Sequence, residues 1–184
     1  MARIFMVRHG LAAAGFGEDM DPGLNAQGHA QAEAVAERLK GIGPRPILTS
    51  PLRRARETAA PLARLWNRTP VIEPAVAEIP SPKGMSLEER VVWLRGLMGG
   101  SWRDVTPELA RWREVCIAAI TERSDDAVIF SHYVAINVLV GAALGDDRVV
   151  VFSPENCSVT LLDTNTGPLR VLLKGSEAPL TKVN

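Results

Sequence analysis

The 184-residue sequence is poor in several residue types, and each scarcity excludes a class of protein. Its only cysteines, Cys116 and Cys157, are widely separated, which argues against a disulfide framework or a redox pair and for buried free thiols. Basic and acidic residues number 21 each, so no general attraction to nucleic acid or anionic membrane is expected. The longest apolar run, 134–144, is too short to span a bilayer. The first residues lack the pattern of a signal peptide, and we expect a cytoplasmic protein.

The sequence does contain short apolar runs that alternate with helical patterns. Residues 4–7, 46–49 and 127–130 are typical of buried strands, whereas amphipathic or apolar helices are predicted between and after them. This alternation predicts an α/β fold, a three-layer sandwich with a mostly parallel central sheet and helices on both faces. The length favours a single domain over 1–184, with a short cap insertion at about 78–106.

Local signals refine this prediction. Asn25 can cap the first helix, and Ser86 with Glu89 forms a capping box for a later one. Pro61 should kink or split the helix that contains it. Two strands are expected to close the chain, at 158–162 and 169–173, joined by a turn over 165–168.

Polar residues follow each of the three buried strands. Arg8 and His9 follow the first, Ser50 and then Arg53 follow the second, and Ser131-His132 follows the third. Because the carboxyl ends of parallel strands share one edge of a sheet, these side chains are expected to converge on one crevice. Two arginines and two imidazoles there would suit a tetrahedral dianion such as a phosphoryl group.

The same groups suggest a reaction. A neutral imidazole can attack phosphorus to form a phosphoramidate, and a carboxylic acid must protonate the leaving alkoxide. The sequence offers no carboxylate cluster suited to Mg²⁺, so arginine and imidazolium are expected to supply the positive charge, with no metal or cofactor. Gly10 should let the backbone turn away and a ligand approach closely.

With these motifs the chain resembles the histidine phosphatase superfamily, also called the phosphoglycerate mutase-like family. Arg8-His9-Gly10 matches its signature tripeptide, and residues 50–59 (SPLRRARETA) are similar to its Ser-x-Leu-x-Arg-Ala-x-Glu-Thr-Ala block. Residues 21–28 resemble its Leu-Thr-x-x-Gly segment, with Asn25 in place of threonine, and Ser131-His132 fits its second histidine. Residues 156–159 resemble the segment that opens a late strand.

The resemblance implies roles for these residues. His9 would become phosphorylated, and Arg8, Arg53 and His132 would hold the phosphoryl group. Arg54 and Arg56 would then be surface charges, and His29 an exposed helix residue. Gly10 and Asn25 are candidate substrate-binding residues.

Two further positions depart from the family pattern. Glu78 fits the general acid by position, although the family's Gly-x-Trp context is missing here, and Glu88 and Glu89 are rivals. Tyr133 stands where the family often has glycine, and it would narrow the pocket or lend a hydroxyl as a substrate-binding residue.

These observations predict a metal-independent phosphatase that hydrolyses a phosphomonoester through a phosphohistidine on His9. The expected partners are a small phosphorylated metabolite or a phosphoprotein, with neither nucleic acid nor membrane. Three alternatives stay open: phosphoryl transfer of the phosphoglycerate mutase type, a protein phosphohistidine phosphatase, and a binding module for phosphorylated ligands that does not turn over.

Overall fold

The fold was analysed in a computed structural model, which describes residues 2–15, 17–164 and 167–178. Strands and helices alternate through most of this part of the chain. The strands are β1 (Arg3–Arg8), β2 (Ile47–Thr49), β3 (Val71–Ile72), β4 (Ala127–Ser131), β5 (Val159–Asp163) and β6 (Arg170–Leu173). The α-helices are α1 (Ala26–Lys40), α2 (Arg53–Trp66), α3 (Leu87–Met98), α4 (Pro107–Thr121) and α5 (Tyr133–Leu144).

The six strands form one sheet in the order β3-β2-β4-β1-β5-β6. β1 pairs with β4 in parallel, with Arg8 opposite Ser131, and β2 pairs in parallel with both β4 and β3. β5 is antiparallel to both of its neighbours, β1 and β6, so it alone runs against the other strands of the described sheet. The carboxyl ends of β1, β2 and β4 therefore meet at one edge, and the predicted α/β class is confirmed.

Side chains alternate across the central strands, so each face of the sheet is buried under its own helices. Ile4 and Met6 of β1 belong to a core with residues of α4 and α5. Val7 belongs to a second core with residues of α1 and α2. The predicted layers of helices on both faces are confirmed. None of the helices in the described ranges has the length and apolar character that a bilayer crossing requires.

Most of the local predictions are confirmed. Asn25 Oδ1 accepts the Gly28 N–H over 2.8 Å at the start of α1, and Ser86 and Glu89 form the capping box of α3. Cys116 and Cys157 are buried free thiols. Pro61 does not split its helix, because α2 continues on both sides of it. Positions 165–166 of the predicted turn lie outside the described residues.

Two glycines bring the loop after β1 against α1. A Cβ on Gly10 would lie 2.6 Å from the Gly28 carbonyl oxygen, and one on Gly28 would lie 2.1 Å from the Leu11 carbonyl oxygen. Both neighbours are backbone atoms, which cannot rotate away as a flexible side chain can. The expected reason for Gly10 is thus corrected: the space that a side chain would need is filled by α1, not kept open for a ligand.

We predict that Gly28→Ala lowers the free energy of unfolding by about 2 kcal/mol or more, because the new methyl group must displace backbone. Denaturant unfolding measures this change. Gly96→Ala is the matched control, since Gly96 also lies inside a helix but has nothing within 4 Å of its Cβ position. That variant should leave stability unchanged or raise it by up to about 1 kcal/mol. Equal effects at both positions would contradict the close approach of Gly28 to Leu11.

Candidate active site

His9 leaves the carboxyl end of β1 and is held in one tautomer. Its backbone N–H donates to the Ser131 carbonyl over 3.0 Å, and its Nδ1 lies 2.7 Å from the Gly10 carbonyl oxygen. A carbonyl can only accept, so Nδ1 carries the hydrogen and Nε2 keeps its lone pair. Arg54 Nε donates to that Nε2 over 3.2 Å. Burial, reinforced by the charges of Arg54 and Arg8, holds the His9 pKa well below 6.5, and the ring is neutral at pH 7.

The structure places Arg54, not Arg53, in the site. Arg54 is buried beside His9, whereas Arg53 has a side chain 65% exposed that pairs with Glu57 over 2.7 Å. The expectation that Arg53 faces the crevice and Arg54 faces solvent is therefore wrong. Successive helix residues are rotated by about 100°, and Arg54 is in phase with the buried Thr58 and Pro61 of α2. Arg56 is exposed, as expected.

His132 lies next to His9, with the ring centroids 5.1 Å apart. It is fully buried at the start of α5, and its Nε2 lies 2.7 Å from the Ser50 hydroxyl at the end of β2. Its Nδ1 is buried with no hydrogen-bond partner among the described residues. Burial, together with His9 and the two arginines, lowers the pKa of His132 well below 6.5. The pair of rings predicted at this edge is thus present.

Arg8 is also buried, and it is positioned by two contacts. Its Nη1 donates to the Pro154 carbonyl over 2.8 Å, and its guanidinium lies 5.1 Å from the centre of the Tyr133 ring. The Tyr133 hydroxyl in turn lies 3.0 Å from the Ser153 hydroxyl. The tyrosine that replaces the usual glycine therefore forms part of the wall around Arg8, in a cation–π contact.

Glu78 lies at the same end of the sheet, against the start of α5. The Val134 N–H donates to its Oε1 over 3.2 Å, and the Ile79 N–H donates to the same oxygen over 3.0 Å. Burial raises the pKa of this carboxyl, opposed by the two amides and by the charges of Arg54 and Arg8. The two rival carboxylates, Glu88 and Glu89, are both exposed, and Glu89 is engaged in the capping box of α3.

Arg8, His9, Arg54 and Glu78 line one cavity of about 1160 Å³, and we call the part beside them its deep end. His132 lies next to His9 but does not itself line the cavity. Asn156 also lines it and donates to the His9 carbonyl over 2.9 Å. Asn25 and Tyr133 are on its wall, although the Asn25 oxygen is already used in capping α1. His29 is elsewhere, with a side chain 58% exposed and 3.9 Å from Glu57. In the described ranges, no three His, Cys, Asp or Glu side chains cluster in a way that could hold a metal ion.

The charge at the deep end suits a doubly negative group. Both imidazoles are neutral, and the arginines keep their charge even though burial lowers the pKa of each. When Glu78 holds its proton, Arg8 and Arg54 leave two positive charges, of which the Arg54 charge is partly offset by Asp21. Arginine forks match phosphate oxygens in geometry as well as in charge. The deep end can therefore bind a phosphoryl dianion beside the lone pair of His9.

Comparison with known proteins agrees with this geometry. The sequence model of the histidine phosphatase superfamily (branch 1) matches residues 4–176. The chain belongs to this superfamily. The predicted resemblance is thus confirmed over nearly the whole chain.

Several curated relatives of this chain are named as mutases. One from Erwinia tasmaniensis, "Probable phosphoglycerate mutase GpmB", is 27% identical and the match covers 91% of this chain and 87% of the relative. A 2,3-bisphosphoglycerate-dependent phosphoglycerate mutase from Thermoplasma acidophilum is 29% identical, and the match covers 83% of this chain and 79% of that relative.

Solved structures of similar fold are named as phosphatases. The Entamoeba histolytica phosphoserine phosphatase in complex with 3-phosphoglyceric acid has a TM-score of 0.75 at 21% identity, covering 96% of this chain and 98% of that one. A mycobacterial glucosyl-3-phosphoglycerate phosphatase has a TM-score of 0.72 at 20% identity, and the match covers 97% of this chain and 100% of that one. At these identities the likeness concerns the fold.

Several contacts of the histidine phosphatase site were not predicted. The place of Arg54 could have been found, because it is the arginine that directly precedes Ala55 in the family block. The hydroxyl of Ser50 against His132 and the amide of Asn156 against His9 join residues far apart in the chain. No local sequence signal indicates such pairs.

We predict that Arg54→Ala weakens the binding of inorganic phosphate by about 10- to 100-fold, as expected for the loss of a charged hydrogen bond. Isothermal titration calorimetry measures this affinity. Arg53→Ala is the matched control and should change it by less than about twofold, because that side chain is exposed and bound to Glu57. A larger loss at Arg53 than at Arg54 would contradict the placement of the two arginines.

Proposed function

We propose that this histidine phosphatase hydrolyses a phosphomonoester without a metal, through a phosphohistidine on His9. The observation that carries the proposal is the hydrogen bonding of the His9 ring. Nδ1 is committed to the Gly10 carbonyl, and Nε2 receives only a donated hydrogen from Arg54. The atom that faces Arg54 is therefore an unprotonated nitrogen, as a nucleophile requires.

The proposed reaction has two steps. Arg54 Nε transfers its hydrogen bond from His9 Nε2 to a phosphoryl oxygen, and the freed Nε2 lone pair attacks phosphorus. The ester P–O bond breaks, and Glu78 gives its proton to the leaving oxygen. Water then attacks the phosphoramidate, the P–N bond breaks, and the Glu78 carboxylate takes the proton that water loses. Inorganic phosphate leaves, and both residues return to their starting states.

Three groups would stabilise the transferring phosphoryl group. Arg8 and Arg54 supply charge, and the buried His132 Nδ1 can donate once Ser50 gives its hydroxyl hydrogen to Nε2. That arrangement suits Ser50, whose oxygen already accepts the Leu52 N–H over 3.1 Å. Phosphoryl transfer depends mainly on such positioning and charge stabilisation.

We predict that His9→Ala forms no phosphoenzyme and has no measurable turnover of an activated aryl phosphate. The wild type, quenched during turnover, should carry an acid-labile, base-stable phosphoryl group on residue 9, detected by mass spectrometry. His29→Ala is the control, since that imidazole is exposed and outside the cavity. A phosphoenzyme that persists in His9→Ala would overturn the assignment of the nucleophile.

We predict that Glu78→Gln slows alkyl phosphates by at least about 100-fold but aryl phosphates with good leaving groups by less than about tenfold. An alkoxide needs the proton that Glu78 holds, whereas an activated phenolate leaves without it. Equal losses on both substrates would remove Glu78 from the acid role. Glu89→Gln is the control, because Glu89 caps α3 outside the cavity.

The same assignment sets a pH dependence. The Glu78 pKa is raised above 4.5, and the acid form is the active one, so kcat/KM for alkyl phosphates should fall as pH rises through that pKa. The corresponding descending limb should vanish in Glu78→Gln. His9 has a lowered pKa and its neutral form is active, so activity should persist below pH 6.5.

A second candidate is phosphoryl transfer of the phosphoglycerate mutase type, favoured by the names of the curated relatives. The two activities differ in the group that accepts the phosphoryl group from His9. This acceptor is water for a phosphatase and a hydroxyl of the organic substrate for a mutase. Incubation with 3-phosphoglycerate separates them: release of inorganic phosphate supports hydrolysis, whereas conversion to 2-phosphoglycerate without release supports the mutase.

A further inference from the structure

We infer that the organic part of the substrate is apolar, an alkyl or aryl body without a second anionic group. The inference rests on the proposed function, because the phosphoryl end must occupy the site beside His9. It concerns the outer part of the cavity, which the proposed chemistry does not use. A volume of about 1160 Å³ is far more than a phosphoryl group needs and matches the upper end of pockets that enclose whole organic ligands.

One wall of the outer cavity is an apolar stripe on α3. Val91, Leu94 and Met98 follow the spacing i, i+3, i+7, which places them on one side of the helix, and all three line the cavity. All three are half-buried: Leu94 and Met98 pack partly against the core, and the remaining surface of each residue faces the cavity. The only fully buried residue of α3 is Arg90. The stripe is therefore available to a ligand.

The facing walls are apolar as well. The loop after β1 contributes Leu11 and Met20, and the segment before α3 contributes Ile79, Pro80 and Met85. An apolar body that reached from the phosphoryl site toward α3 would touch carbon on each of these sides. Contacts of this kind release water from both surfaces, which is the main source of affinity for such ligands.

The charges around the outer cavity argue against a second anionic group. Its basic residues are Lys83, Arg90 and Arg95, and its acidic residues are Glu18, Asp19 and Glu88, so three charges of each sign cancel. Arg90 is moreover engaged with the Ser81 hydroxyl over 2.8 Å. A bisphosphate or a phosphorylated acid would bring its second charge into surroundings with no net positive charge, in contrast to the deep end. A neutral body avoids that cost.

The inference is tested first by binding, so that it does not depend on turnover. We expect hexylphosphonate to bind the wild-type chain at least about tenfold more tightly than ethylphosphonate, measured by isothermal titration calorimetry. A fully buried methylene is worth about fourfold in affinity, and four are added in a half-open cavity. Equal affinities, or tighter binding of 3-phosphoglycerate than of hexylphosphonate, would overturn the inference and leave the proposed function standing. No binding of either phosphonate or of inorganic phosphate would overturn both.

A pair of variants then locates the preference on α3. Leu94→Asn replaces an apolar wall residue by a polar one of similar size, and it should reduce the hexyl-to-ethyl affinity ratio by about three- to tenfold. Val92→Asn is the matched control, because Val92 lies on the same helix, is 72% exposed and does not line the cavity. The hexyl-to-ethyl affinity ratio of Val92→Asn should equal that of the wild type. Unchanged inorganic phosphate affinity in Leu94→Asn shows that the deep end is still folded. A ratio unaffected by Leu94→Asn would overturn the role of the stripe.

Discussion

The parallel pairing of β1 with β4 is the constraint on which the site depends. Arg8 is opposite Ser131 in this register. His9 and His132, the residues that directly follow the two strands, therefore leave the sheet side by side. The hydrogen bond from the His9 N–H to the Ser131 carbonyl extends the pairing by one residue. A slip of one residue would turn each side chain of the strand to the opposite face. Such a slip would place the residues of each core in the other core, which is packed around different side chains. The packing of the two cores therefore fixes the register, and the register sets the distance between the two rings.

Burial then adjusts each group at this edge according to its chemistry. The removal of water disfavours every charged form, so it lowers the pKa of His9 and His132 and raises that of Glu78. Arginine has too high a pKa to lose its proton, and Arg8 and Arg54 stay charged. One physical cause thus yields neutral rings, a carboxyl that favours its proton, and two cations. This combination is what a nucleophile, an acid and a dianion site require.

The sequence was sufficient for the features that depend on local pattern. Apolar runs located β1, β2 and β4, and the residues after them indicated which side chains share an edge. The prediction that Arg53 and not Arg54 faces the crevice failed. Neighbouring helix residues point in different directions, so an error of one residue in aligning the motif assigns the role to the wrong side chain. The family block would have corrected it, because its arginine directly precedes the alanine that matches Ala55. The amide of Val134 against Glu78 joins residues 56 positions apart, a pairing that follows only from the packed fold.

The two buried thiols have a consequence for the behaviour of the molecule under oxidative stress. Burial raises the pKa of Cys116 and of Cys157 to about 12, so neither is a thiolate at neutral pH, and the thiolate is the form that peroxide attacks. An imidazole nucleophile has no sulfur to be converted to a sulfenic acid. The chemistry proposed at His9 would therefore lack the sensitivity to oxidation of phosphatases that use cysteine. Among the methionines that the structure describes, Met20 is the most exposed, at 62%, and it lines the cavity.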